Sequence, residues 1–141
     1  MIKLRALNLV CGMFKAVKKL PSKNANPAHL ADTINGLYEF CLCVIKAKHP
    51  NSTSQKDLDE RANIALLQLM CGNEKKSDAA TVDCIVKWCA VSPRLNVVVD
   101  SAAEVFGRKE ELFNVLQNPE RLKLAEKVKK VVAARDAMVA H

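Results

Sequence analysis

Aromatic residues are scarce in this chain, at 4% of 141 residues: one tryptophan, one tyrosine and four phenylalanines. A core must therefore be assembled from leucine, valine, alanine, methionine and cysteine. A surface that grips single-stranded nucleic acid by stacking bases on exposed rings is poorly supplied. Glycine and proline are few as well, at four and five. Each hairpin of a many-stranded sheet asks for a Gly, Asn-Gly or Pro signal, so this shortage excludes an all-β fold and leaves helices.

No uninterrupted apolar run approaches the roughly 18 residues that a membrane-spanning helix needs. The opening MIKLRALNLVCGMF is broken by Lys3, Arg5 and Asn8, and Lys15, Lys18 and Lys19 close it with no small-residue cleavage site behind. That pattern speaks against a secretion signal. Ile2 stands where N-myristoylation requires glycine, and Val10 precedes Cys11 where a lipidated cysteine would follow a small residue.

Recognisable catalytic motifs are missing too: no glycine-rich phosphate loop, no H-E-x-x-H and no G-x-S-x-G. The six cysteines contain no C-x2-C pair, and His29, His49 and His141 are scattered. Cys41 and Cys43 stand two apart, which on a helix points them in nearly opposite directions, and Cys84 and Cys89 diverge likewise. These spacings do not assemble a zinc site. They fit buried thiols in a reducing compartment, hence an intracellular protein, cytoplasmic or nuclear. Asp57, Asp59 and Glu60, and Glu110 and Glu111, are ordinary first-turn or surface carboxylates. A non-enzymatic protein without metal or cofactor is the expectation.

What the chain does have is helical periodicity, and residues 77–91, SDAATVDCIVKWCAV, are its organising stretch. Apolar or small residues surround this helix on every side except at Asp83 and Lys87, which lie four apart and pair across one turn. A helix apolar almost all round belongs at the centre of a helical domain, and the single tryptophan, Trp88, lies on it. Ser92-Pro93 stops it.

Earlier in the chain, Ala6, Val10, Met13, Val17 and Leu20 form a stripe over residues 2–20, with Lys15, Lys18 and Lys19 on another side and Pro21 behind. Asn26-Pro27 pairs an N-cap with a first-turn proline, opening a helix that carries Leu30, Ile34, Leu37, Cys41 and Val44 inward to about Lys48. After the polar loop at 51–54, Leu58, Ala62, Ala65, Leu66 and Leu69 predict a third helix ending at Gly72.

Residues 95–99, LNVVV, are β-branched and lack a partner strand, so the expectation is an extended connection. Ser101-Ala-Ala-Glu104 matches a capping box for a following helix, interrupted at Gly107 and continued through Leu112, Phe113 and Leu116. Asn118-Pro119 repeats the start signal for a last helix to about Val139, with Leu124, Val128, Val131, Val132 and Met138 inward. The fold class is therefore all-α. Residues 1–141 form a single-domain bundle of about five to six helices around a buried central helix, 77–91, with 1–25 a basic amphipathic segment able to serve as a binding arm.

Charge is the most informative feature. Lys3, Arg5, Lys15, Lys18, Lys19 and Lys23 precede the first acidic residue, Asp32. Setting those six aside from the 22 lysines and arginines leaves 16 to face 15 acidic residues, so nearly all of the net charge of +7 lies in the first 23 positions. Such asymmetry suits a polyanion: nucleic acid, RNA ahead of DNA, or an anionic membrane surface. Lys123, Lys127 and Lys130 line a second, mixed-sign face on the last helix. With Phe14 the only ring among the N-terminal cations, contact with phosphates rather than bases is expected.

The segment TVDCIVKWCAVSPRLNVVVDSAAEVF resembles the fourth-to-fifth helix region of lentiviral matrix proteins, with a Trp-Cys-bearing buried helix followed by a short polar turn. The likeness covers about 26 residues and departs from the myristoylated members at Ile2. It implies a small helical protein whose basic N-terminal part meets acidic lipid or RNA. Two functions follow. In one, a nucleic-acid-binding or assembly protein, self-associating or not, holds its N-terminal helix against its own core. In the other, a membrane-surface or protein-interaction adaptor keeps Leu4, Leu7, Val10, Phe14 and Val17 free for lipid or a partner.

Overall fold

The computed structural model describes residues 12–13, 15–21, 24–71, 77–108 and 119–139. They form five helices, α1 Pro27–Lys48, α2 Gln55–Cys71, α3 Asp78–Val91, α4 Pro93–Gly107 and α5 Pro119–Val139, with no strand among the described residues. The helices are packed around one apolar cluster to which every one of them contributes.

Capping chemistry sets most of the boundaries. Asn26 is extended, and its Oδ1 accepts the Ala28 N–H at 2.9 Å while Pro27 occupies the first turn. At the other end of α1, the His49 N–H donates to the Ile45 carbonyl at 3.0 Å. Ser54 Oγ accepts the Asp57 N–H at the start of α2 (3.2 Å), and Ser77 Oγ accepts the Ala80 N–H at the start of α3 (3.2 Å).

The inward faces follow the expected stripes with three corrections. On α1, Ile34, Leu37 and Cys41 are buried together with Tyr38 and Leu42, whereas Val44 turns outward. Ile45 packs on the core in its place. On α2, Leu58, Ala62 and Leu66 are buried with Ile64, Leu67 and Met70, but Leu69 is 37% exposed. It shares the outward side of Arg61 and Gln68, at the i, i+7 and i+8 positions of one helix face, while Ala65 packs partly against the core. On α5, Leu124, Ala125, Val128 and Val131 are buried and Val132 is half-buried, while Met138 is 62% exposed. Arg135 already reaches Asn96 and Asp100 in the first two turns of α4, so one turn later α5 has nearly outrun its neighbour.

The stretch expected to be extended is helical, because Ser92 serves two helices at once. Its N–H donates to the Trp88 carbonyl at 2.9 Å, closing α3. Its Oγ accepts the Leu95 N–H at 3.1 Å, opening α4 with Pro93 in the first turn. The Asn96 amide nitrogen donates to the Cys89 carbonyl at 2.8 Å, satisfying the last turn of α3. Leu95, Val98, Val99, Ala102, Val105 and Phe106 are buried at helical spacing. Burial of that stripe outweighs the small helix penalty of β-branched residues, a few tenths of a kcal/mol each up to about 0.7 kcal/mol.

Ser101 is consequently interior to α4 rather than its cap, and Glu104 pairs with Arg108 (3.2 Å) instead of closing a capping box. The helix does end at Gly107, with the Arg108 N–H donating to the Val105 carbonyl at 3.2 Å. Leu112, Phe113 and Leu116, and the caps expected at Gly72 and Asn118, lie outside the described residues.

α3 is buried as expected: Thr81, Val82, Cys84, Ile85, Val86, Trp88 and Cys89 all face protein, and Asp83 and Lys87 pair at 3.2 Å on its exposed strip. The centre of the bundle is shared, since α2, α3 and α4 each pack against all four other helices.

The segment ahead of α1 docks into this bundle. Val17 is 1% exposed and Met13 packs against the core. Met13 Cε lies where α1 offers no side chain, 2.8 Å from the position a Cβ on Gly36 would take. The helix gives way to a turn at Lys18 and Lys19, which leaves carbonyls without helical partners. The Trp88 indole N–H donates to the Lys19 carbonyl at 2.9 Å, and the Cys84 thiol approaches the same oxygen at 3.3 Å. Because the helix stops there, Leu20 leaves the predicted stripe and is 51% exposed.

Replacing Trp88 with alanine should destabilise the protein by about 3–5 kcal/mol in urea denaturation, the usual cost of emptying a large aromatic site. Trp88→Phe keeps most of the bulk but removes the indole donor and leaves the Lys19 carbonyl only the weaker Cys84 thiol, and should cost about 1–3 kcal/mol. A loss below about 1 kcal/mol for the alanine variant is incompatible with the packing described.

Candidate nucleic-acid interface

Ion pairing within the bundle decides which cations remain for a partner. Arg108 holds Glu60 through two guanidinium nitrogens (2.7 and 3.1 Å) and also reaches Glu104. That paired geometry raises its affinity for the proton above an already high value, through hydrogen bonds to Glu60 and then Glu104. Arg135 donates to Asp100 at 2.6 Å, Arg61 to Asp57 at 3.0 Å, and Lys87 to Asp83 at 3.2 Å. Arg94 lies over the ring of Tyr38, 4.5 Å from its centroid. The Tyr38 hydroxyl in turn donates to Asp59 at 2.7 Å. Burial, and then this bond to a carboxylate, push the phenol up to about 12.

The predicted site residues divide accordingly. Lys15 and Lys19 are exposed on the docked N-terminal segment, and Lys18 is half-buried between them. On α5, Lys127 and Lys130 converge on one carboxylate, Asp78 at the start of α3, at 3.7 and 3.6 Å. Lys123 is exposed beside them. The mixed-sign face of α5 is thus partly neutralised by the bundle itself. Lys3, Arg5 and Lys23 lie outside the described residues.

Lys46, Lys48 and Lys56 around the α1–α2 turn, and Lys129 on α5, have no carboxylate partner among the described residues. The first three had a readable signal, since no acidic residue occurs between Glu39 and Asp57. Lys46 and Lys48 complement the C-terminal end of the α1 dipole. Lys56 sits in the first turn of α2, where the dipole disfavours a cation.

Among the described residues the thiols are mostly inside, with one exposed. Cys41, Cys84 and Cys89 are buried, Cys71 is half-buried, and Cys43 faces solvent on the opposite side of α1 from Cys41. Burial pushes Cys41, Cys71 and Cys89 up to about 11, the reverse of what an activated nucleophile needs. Among the described residues no three His, Cys, Asp or Glu side chains converge in a manner that would hold a metal ion. No described helix is long and apolar enough to cross a membrane.

Compared with protein-family models, curated proteins and solved structures, the chain matches none. The likeness of 81–106 to lentiviral matrix proteins is supported by no such match.

Two outcomes follow from the thiols. At pH 8 the exposed Cys43 should be alkylated readily by iodoacetamide, whereas Cys41 and Cys89, buried and held protonated, should label far more slowly in mass-spectrometric time courses. Because folding holds these thiols and Tyr38 protonated beyond their ordinary values, that stabilisation is complete below pH 9 and is lost as pH rises through about 11–12. The urea midpoint should therefore fall across that window, and a level midpoint would refute the burial.

Proposed function

We propose that this is a non-enzymatic nucleic-acid-binding protein that contacts phosphates through its basic N-terminal segment. One observation carries the reading: Met13 and Val17 of the segment pack on the protein's own core, while Lys15 and Lys19 are exposed. Val17 is buried, Met13 fills the notch at Gly36, and Trp88 holds the Lys19 backbone. Lys15 and Lys19 then project from a fixed base. An adaptor that grips lipid or a partner with the same apolar stripe would need Val17 free, so the phosphate reading is the better supported of the two. RNA is favoured over DNA, and the cations of the α1–α2 turn, Lys46, Lys48 and Lys56, enlarge the positive surface available to a long polyanion.

Phosphate contact without base readout makes binding insensitive to sequence and steep in salt. Each lysine that neutralises a duplex phosphate contributes about −0.9 to the log–log salt slope. The triple variant Lys15→Gln, Lys18→Gln, Lys19→Gln should bind duplex RNAs of different sequence equally more weakly. Its slope should be shallower by up to about 2.7, and its melting temperature nearly unchanged. Fluorescence anisotropy across a salt series measures this, with anionic vesicles tested in parallel because a membrane surface also responds to charge. Unchanged RNA affinity and slope in the triple variant would refute the reading.

A further inference from the structure

Between α4 and α5 the surface opens into a cleft of about 270 Å³ that phosphate contact leaves unused. Ala103, Phe106 and Gly107 of α4 and Val128 and Val132 of α5 form its walls, and Lys129 stands on its rim. The walls are almost wholly apolar. Phe106 and Val128 belong to the buried core, so the floor of the cleft is the interior of the bundle laid open. Over Gly107 there is open space: a Cβ built there meets no atom within 4 Å.

Among the described residues, Lys129 is the one charged side chain at this rim, and no carboxylate among them answers it. Lys127 and Lys130, its neighbours along α5, are both turned to Asp78. Glu126, one turn before Lys129 on the exposed side of the helix, makes no ion pair with it. An apolar slot with one unanswered ammonium at its mouth is complementary to a molecule with an apolar tail and one anionic head. Size sets the tail: an apolar cavity of about 150 Å³ binds benzene, and by that ratio the present cleft holds about eleven carbons.

From this arrangement we infer that the α4–α5 cleft is a binding site for a single-chain amphiphilic anion, a free medium-chain fatty acid, with the alkyl chain along Phe106 and Val128 and the carboxylate on Lys129. The carboxylate stays at the surface, where it keeps part of its hydration, and the chain alone is buried. No covalent step is involved.

The site is tested by titrating the full chain with monomeric octanoate, decanoate and laurate below their micellar concentrations, by calorimetry. Saturable one-site binding is expected, tightening about three- to fourfold with each added methylene that is buried. Lys129→Met should weaken decanoate about tenfold and leave decanol unaffected, because only the charged head loses its partner. Gly107→Leu should abolish both, since it fills the open space with a side chain and carries no backbone penalty at this position, where φ is not positive. An unchanged urea midpoint in each variant shows that the fold is intact. The inference is overturned if the unsubstituted protein shows no saturable binding, if affinity does not depend on chain length, or if Lys129→Met weakens decanol as much as decanoate. It is likewise overturned if the protein binds phosphatidylglycerol vesicles but no monomeric fatty acid. None of these outcomes bears on RNA binding, which rests on lysines elsewhere in the molecule.

Discussion

The hydrogen bond from the Trp88 indole to the Lys19 carbonyl joins two groups that each need a partner. In a chain with one tryptophan and few other rings, Trp88 is the largest side chain that is fully buried, and a buried indole N–H left unpaired costs about 1–3 kcal/mol. The Lys19 carbonyl becomes free because the N-terminal helix yields to a turn there, and Pro21 prevents its continuation. Each group answers the other at 2.9 Å. The bond also decides orientation: once the backbone at Lys19 is tied to α3 and Val17 is inside, Lys15 and Lys19 are left on the outward side.

The same economy governs the charges. Glu60, Asp57, Asp78, Asp83, Asp100 and Glu104 all lie against a lysine or arginine of the bundle. Most of these pairs are exposed and individually worth less than about 1 kcal/mol. Their larger effect is on distribution. By consuming Arg61 on α2, Lys87 on α3, Arg108 after α4 and Lys127, Lys130 and Arg135 on α5, they leave Lys15 and Lys19, the lysines of the α1–α2 turn and Lys129. Net charge is a property of composition, but a positive patch is what remains after ion pairing.

How much of this was legible in the sequence depended on the range of the interaction involved. The starts of α1 and α3, marked by Asn26-Pro27 and Ser77, were readable because a cap is satisfied by atoms two or three residues away. The opposite outward and inward placement of Cys41 and Cys43 was readable because helical geometry alone imposes it. Residues 95–99 misled because β-branched side chains speak for extended backbone. Ser92-Pro93 was read only as the end of one helix, although the same pair also begins the next. The gap in acidic residues around the α1–α2 lysines is visible in the sequence, but there local compensation of a helix end looks the same as a binding surface.

The sequence by itself determined that the chain is helical, where most helices begin, that its thiols belong largely in a core, and that its positive charge is concentrated at one end. These follow from composition, short-range hydrogen bonding and periodicity, which act within a turn or two of helix. Only the tertiary structure decided that Val17 faces inward and Leu20 outward, that Lys127 and Lys130 share Asp78 while Lys129 has no such partner among the described residues, and that α4 and α5 leave a cleft between Phe106 and Val128. Those outcomes depend on which residues far apart in the chain are brought within a few ångströms, and no periodicity in one segment encodes the position of another.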